Sequence, residues 1–194
     1  VLPWGKYSFR KYIPVTPLLS QPTSRTALFI DGANLFAATK KLGFEIDFKR
    51  LLRLFQDGSQ LVRANYYTAV SHATDFQSIR PLIDWLEYNG FTLVTKATKE
   101  FSDDTGARKI KGNMRVELAV DAMRLAQYVD HVVLLSGDGE FVYLVAALKG
   151  MGKRVSVIST LQTDMPMLAD ELRRQADVFV DLVDLEKKIG RRTS

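Results

Sequence analysis

Four apolar residues, Ala27-Leu28-Phe29-Ile30, run without a break into Asp31, and Gly32 follows at once. An uninterrupted apolar run bounded by turn-forming residues reads as a strand buried on both faces, the kind found in parallel sheets flanked by helices. Gly32 permits a tight turn, and Asn34 stands where a helix could begin. In open α/β sheets ligands bind beyond the carboxyl ends of the strands, which puts Asp31 at a candidate site. Two readings of Asp31 stay open at this point: a ligand-binding acid, or a helix-capping carboxylate in an ordinary strand-to-helix turn.

The same alternation continues along the chain. A helix is predicted over about 33–41, ending near Gly43. Asp47 caps a second helix that carries Phe48, Leu51, Leu52 and Phe55 on one face and ends at Asp57-Gly58. A strand at 61–70, a helix at about 75–89 closed by Asn89-Gly90, and a strand at 91–95 follow. Residues 96–112 read as a long irregular connection rich in Lys96, Lys99, Arg108, Lys109 and Lys111, either a phosphate-facing loop or a plainly solvated one. Then come a helix at about 113–128, the strand 131–135, a helix from Glu140 to Lys149, a strand at 154–158, a helix at about 164–174, a strand at 177–180 and a short terminal helix. With no internal repeat and no linker, this is one doubly wound α/β domain with a mainly parallel sheet.

Composition narrows the chemistry. The 194 residues include no cysteine and two histidines, His72 and His131. Disulfides, zinc–thiolate sites and thiol nucleophiles are thereby excluded, a reducing compartment is favoured, and any bound metal is expected to be held by oxygen, as Mg²⁺ or Mn²⁺ are. No apolar run is long enough to span a bilayer. The formal net charge of +5 is unevenly spread. Residues 1–25 contribute +4 through Lys6, Arg10, Lys11 and Arg25, and residues 187–194 another +4, leaving the body, 26–186, at −3. The first 25 residues also hold Pro3, Pro14, Pro17 and Pro22, with Trp4, Tyr7, Phe9 and Tyr12 among the cations. They read as an extended basic arm, suited either to stacking on unpaired bases or to pinning the arm to its own domain. The arm lacks the apolar core of a secretory signal, although its acid-free basic composition is also compatible with an organelle presequence. A cytoplasmic location is the expectation.

Two predicted strands end in an acid beside glycine: Ile30-Asp31-Gly32 and Ser136-Gly137-Asp138-Gly139-Glu140. If these strands are neighbours, Asp31 and Asp138 converge at one sheet edge with Glu140 in the first turn of the next helix. Converging carboxylates repel one another unless a cation sits between them, and hard divalent ions with several waters suit such a cluster. Ser136 has no partner histidine nearby, and no glycine-rich nucleotide loop is present.

Three ordered segments, Phe29-Ile30-Asp31-Gly32-Ala33-Asn34, Lys111 through Met123, and Leu135 through Phe141, resemble the NYN domain family in its LabA-like branch, within the PIN-like nuclease superfamily. The resemblance covers about residues 26–183. It implies a PIN-like three-layer sandwich and a Mg²⁺ or Mn²⁺ site that cuts RNA, single-stranded RNA above all, with a homodimer compatible with the class. Carried over by position, Asp31 and Asp138 would bind metal, Asn34 would orient a metal-bound water or a phosphate, and Glu140 would ligate through water. Lys111, Asp121 and Ser136 would support the site or its substrate. The chain departs from the pattern at Arg115, where the family typically has Asp. An exchange of −1 for +1 opposes a divalent ion, and a cation near a helix N-terminus is disfavoured by roughly 0.3–1 kcal/mol. Two expectations follow from the resemblance: a metal-dependent endoribonuclease impaired by Arg115, or a non-catalytic RNA-binding module in which Arg115 fills the place of the cation.

Overall fold

The computed structural model describes residues 22–70, 75–102 and 108–191, with the side chains of 75–78, 99–102 and 108–111 left aside. Residues 1–21, His72 and 192–194, and the side chain of Lys111, therefore lie outside the described residues. The central sheet has the order β3-β2-β1-β6-β7-β8 and every neighbouring pair is parallel. Its strands are β1 (Arg25–Asp31), β2 (Gln60–Val70), β3 (Phe91–Ala97), β6 (His131–Leu135), β7 (Arg154–Ser159) and β8 (Val178–Asp181). The helices are α1 (Gly32–Leu42), α2 (Phe48–Gly58), α3 (Asp75–Tyr88), α4 (Arg115–Ala126), α5 (Val142–Gly150), α6 (Asp170–Gln175) and α7 (Leu182–Ile189).

The period-2 alternation of strand side chains divides the core in two. Leu28 and Ile30 of β1 pack with Leu35 and Ala38 of α1, Leu51 and Phe55 of α2, Leu86 of α3 and Leu185 of α7. Ala27 and Phe29 of the same strand pack on the opposite face with Leu118 and Ala122 of α4, Val145 and Leu148 of α5 and Leu172 of α6. The molecule is thus a three-layer α/β PIN-like sandwich whose central strands β1 and β6 are buried on both sides, which is why they read as unbroken apolar runs. From β1 the chain winds outward to β2 and β3, then crosses to β6 and winds the other way. The switch point falls between β1 and β6, where a crevice opens at the strand ends.

Four expectations are corrected. The connection over 96–112 is not irregular throughout: β4 (Lys99–Ser102) and β5 (Arg108–Lys111) pair antiparallel as a hairpin, because backbone pairing needs no apolar alternation in the sequence. The helix expected at about 164–174 is only α6. Pro166 disfavours helical backbone at the residue before it, and the segment uses its amides otherwise, Met167 N donating to Thr160 O at 3.1 Å and Ala169 N to Gly137 O at 2.9 Å. The supposed tail from 187 continues the domain: Leu182, Leu185 and Ile189 form the buried stripe of α7, and Arg191 N donates to Glu45 O at 2.8 Å. At the other end Arg25, counted with the basic arm, begins β1 and pairs with Asp130 at 2.8 Å.

Candidate functional site at the β1/β6 crevice

The pairing of Ile30 with Leu135 brings the ends of β1 and β6 side by side. Asp31 and Ser136 thereby leave adjacent strands at the same level. Asp31 caps α1, its Oδ1 accepting the Asn34 N–H at 3.2 Å. The capping reading is therefore realised, but capping uses one oxygen only. Oδ2 accepts the Ser136 hydroxyl at 3.0 Å. Ser136 Oγ in turn accepts the Asp138 N–H at 3.2 Å, and Asn34 Oδ1 accepts the Gly137 N–H at 3.0 Å. Asn34 and Ser136 thus staple the two acid-bearing turns to each other.

Glycine is required at both turns by close approach. A Cβ on Gly32 would stand 2.7 Å from the Tyr66 ring, and one on Gly137 would stand 1.7 Å from the Met167 carbonyl oxygen. Tyr66 lies against the acid turn, and burial together with the Asp31 charge pushes its phenol up to about 12.

Asp138 caps the short 3₁₀ turn Gly139–Phe141 by accepting the Glu140 N–H at 3.0 Å. Its other oxygen accepts Arg115 Nε at 2.5 Å. Arg115 Nη1 lies 3.1 Å from Glu140 Oε1, so one guanidinium spans both carboxylates. Asp138 is the more enclosed partner, its side chain 16% exposed against 35% for Arg115. Burial raises the pKa of Asp31, opposed by its two hydrogen bonds and reinforced by the nearby Asp138 charge, with Arg115 pulling the other way.

Asp31, Asn34, Ser136, Asp138, Glu140 and Arg115 therefore form one connected network. Asp121 stands apart from it. Its Oδ2 accepts the Tyr67 hydroxyl at 3.1 Å, across from β2. Glu117 also points elsewhere, pairing with Lys96 at 2.7 Å. Tyr67 and Lys96 are the contacts that sequence reading did not connect to α4; sequence distances of 54 and 21 residues leave no local signal.

Asp138 is already bridged to Glu140 by the Arg115 guanidinium, and both Asp31 oxygens accept protein donors. Among the described residues no three His, Cys, Asp or Glu side chains gather as a metal-binding group. The arrangement does not fit a hard divalent cation while Arg115 holds its place. With one guanidinium against three carboxylates, the network still carries a net −2 when all are ionised.

Comparison with known proteins gives concordant results. The NYN domain model matches residues 25–185. The low amplitude and bright protein LabA of Synechococcus elongatus is 34% identical over 170 residues, covering 86% of this chain and 88% of the relative. A solved structure of a protein of unknown function from Vibrio parahaemolyticus superposes with a TM-score of 0.71 at 23% identity, over 89% of this chain and 99% of the other, and so shares the fold.

Proposed function

This chain belongs to the NYN domain family, in its LabA-like branch, and from that premise we propose that it acts on RNA as a nuclease-like domain that binds the phosphodiester backbone at the β1/β6 crevice. The observation that carries this reading is the stapled pair of acid turns at the switch point. Lys96 lies near the carboxyl end of β3, paired with Glu117, and Lys99, Arg108, Lys109 and Lys111 follow it in the sequence. Such cations supply sequence-independent affinity for phosphate. The aromatic residues and cations of the N-terminal arm favour an unpaired strand. No helix among the described residues is long and apolar enough to cross a membrane, and a cytoplasmic site of action is proposed. For a homodimer, the exposed strip Val116, Val120 and Met123 on α4 with Tyr143 on α5 is the apolar face on offer.

Catalysis is a second reading, favoured by the excess of carboxylates over the single guanidinium. Anisotropy of labelled single-stranded RNA at low salt, run with EDTA and with Mn²⁺, separates the readings when paired with a cleavage gel. The expected outcome is binding in EDTA with the RNA left intact. Cleavage that needs Mn²⁺ and is lost in Asp31→Asn would establish catalysis instead, and absence of binding in both conditions would overturn the RNA reading.

A further inference from the structure

We propose that Arg115 is the resident cation of the crevice: its guanidinium bridges Asp138 and Glu140 and supplies the positive charge these acid turns need, so that the site assembles without metal, and removing that guanidinium uncovers a latent site for a hard divalent ion. The metal statement stands on the geometry of this chain alone. Its extension, that RNA binding needs no metal, rests on the function proposed above.

Three observations carry it. The first is position. Arg115 reaches the carboxyl ends of β1 and β6, where the order of the sheet reverses and a ligand crevice forms. The second is cost. Arg115 is the first residue of α4, where the helix dipole disfavours a positive charge, and Met114 before it offers no side-chain cap. A cation in that place must be held by its partners, and the partners present are the carboxylates of Asp138 and Glu140. The third is enclosure. The other arginine–carboxylate pairs near strand and chain ends, Arg25–Asp130 and Arg191–Glu45, join exposed side chains. The Arg115–Asp138 contact is more enclosed and leads through Ser136 to Asp31. A guanidinium keeps its charge throughout the physiological pH range, so this cation is not released by titration. Without it, Asp138 and Glu140 lose the guanidinium between them while Asp31 stays linked to Asp138 through Ser136, and carboxylates left without a counter-charge favour uptake of a hard divalent ion such as Mg²⁺ or Mn²⁺.

The test uses the full chain without RNA, so that its failure is distinguishable from failure of the RNA reading. Mn²⁺ is titrated by calorimetry into the wild type, Arg115→Gln and Arg115→Asp, and the thermal midpoint of each is followed against Mn²⁺ concentration. The wild type is expected to show no saturable uptake and no shift. Arg115→Asp is expected to bind Mn²⁺ at least tenfold more tightly than the wild type, with a midpoint that climbs with ion concentration. Arg115→Gln, which adds no new acid, should show the same effect more weakly and keeps the test available if the aspartate variant fails to fold. Wild-type binding as tight as that of the variants would overturn the proposal. Absence of binding in folded variants would overturn it equally, since no latent site would then exist.

Discussion

His131 illustrates how far a single side chain can be read. It opens β6 in the core, with Nε2 2.7 Å from Ser156 Oγ. Burial, aided by the charge of Arg154 and opposed by Asp177, lowers its pKa to about 4. The folded protein thus keeps the imidazole neutral while the unfolded chain takes up a proton below about 6.5, its ordinary value. Stability from this group is whole above that pH and is lost as pH falls toward 4, amounting to about 3 kcal/mol across the window. Asp31, raised by burial, works in the opposite sense, and Asp130, held near 2 by Arg25, acts below the window. Urea unfolding at pH 7 and pH 4.5, compared between wild type and His131→Gln, isolates the histidine. The wild type should lose more stability on acidification than the variant does, and equal losses would remove His131 as the cause.

Among elements, α4 is the one whose placement decides the site, because Arg115 is its first residue. Leu118, Ala122 and Ala126 seat it on the sheet, and the Tyr67–Asp121 hydrogen bond fixes it across β2. Burial and Asp121 together hold the Tyr67 phenol far above its usual range, so it donates at any physiological pH. Tyr67→Phe removes this bond and should cost about 1 kcal/mol in urea unfolding, with α4 still held by its apolar stripe and Arg115 still on Asp138. A loss of RNA affinity much greater than the stability change would show instead that Tyr67 serves the crevice directly. Elements such as this were legible because burial imprints a period. β1, β6 and α7 show it, and Asp47 caps α2 as its sequence position suggests, accepting the Arg50 N–H at 3.0 Å. The β4–β5 hairpin was hidden because its sequence carries no such period, and the segment before α6 misled because Met167 and Leu168 pack on the core from a non-helical backbone while Met165 is exposed. The site was legible at its strand ends, Asp31 and Asp138. Their joining by Ser136, and the turn of Asn34 toward Gly137 N, depend on which strands lie side by side, which local sequence does not encode.

At the scale of the whole molecule, charge separates what holds the fold from what meets a polyanion. The body carries −3 and the net positive charge lies at the two ends of the chain. Arg25 is committed to Asp130, and Arg191 to Glu45. That leaves Lys6, Arg10 and Lys11 as the cations contributed by residues 1–21. Since β1 begins at Arg25, a chain starting at Pro22 retains both core clusters and should unfold at the same urea concentration as the full chain. Its RNA binding should differ. Each cation that neutralises a phosphate on a single strand contributes about 0.7 to the slope of log affinity against log salt. Loss of three such contacts should flatten that slope by about 2 and weaken binding most at low salt. Anisotropy titrations from low to moderate salt on both chains measure this directly. Equal slopes and affinities would assign the arm to something other than RNA, leaving cations of residues 22–194 to supply the electrostatic attraction. A flattened slope with an unchanged unfolding midpoint would place the polyanion contact in the arm and the architecture in the body. The net negative crevice could then meet a phosphodiester because cations outside it bring the strand there.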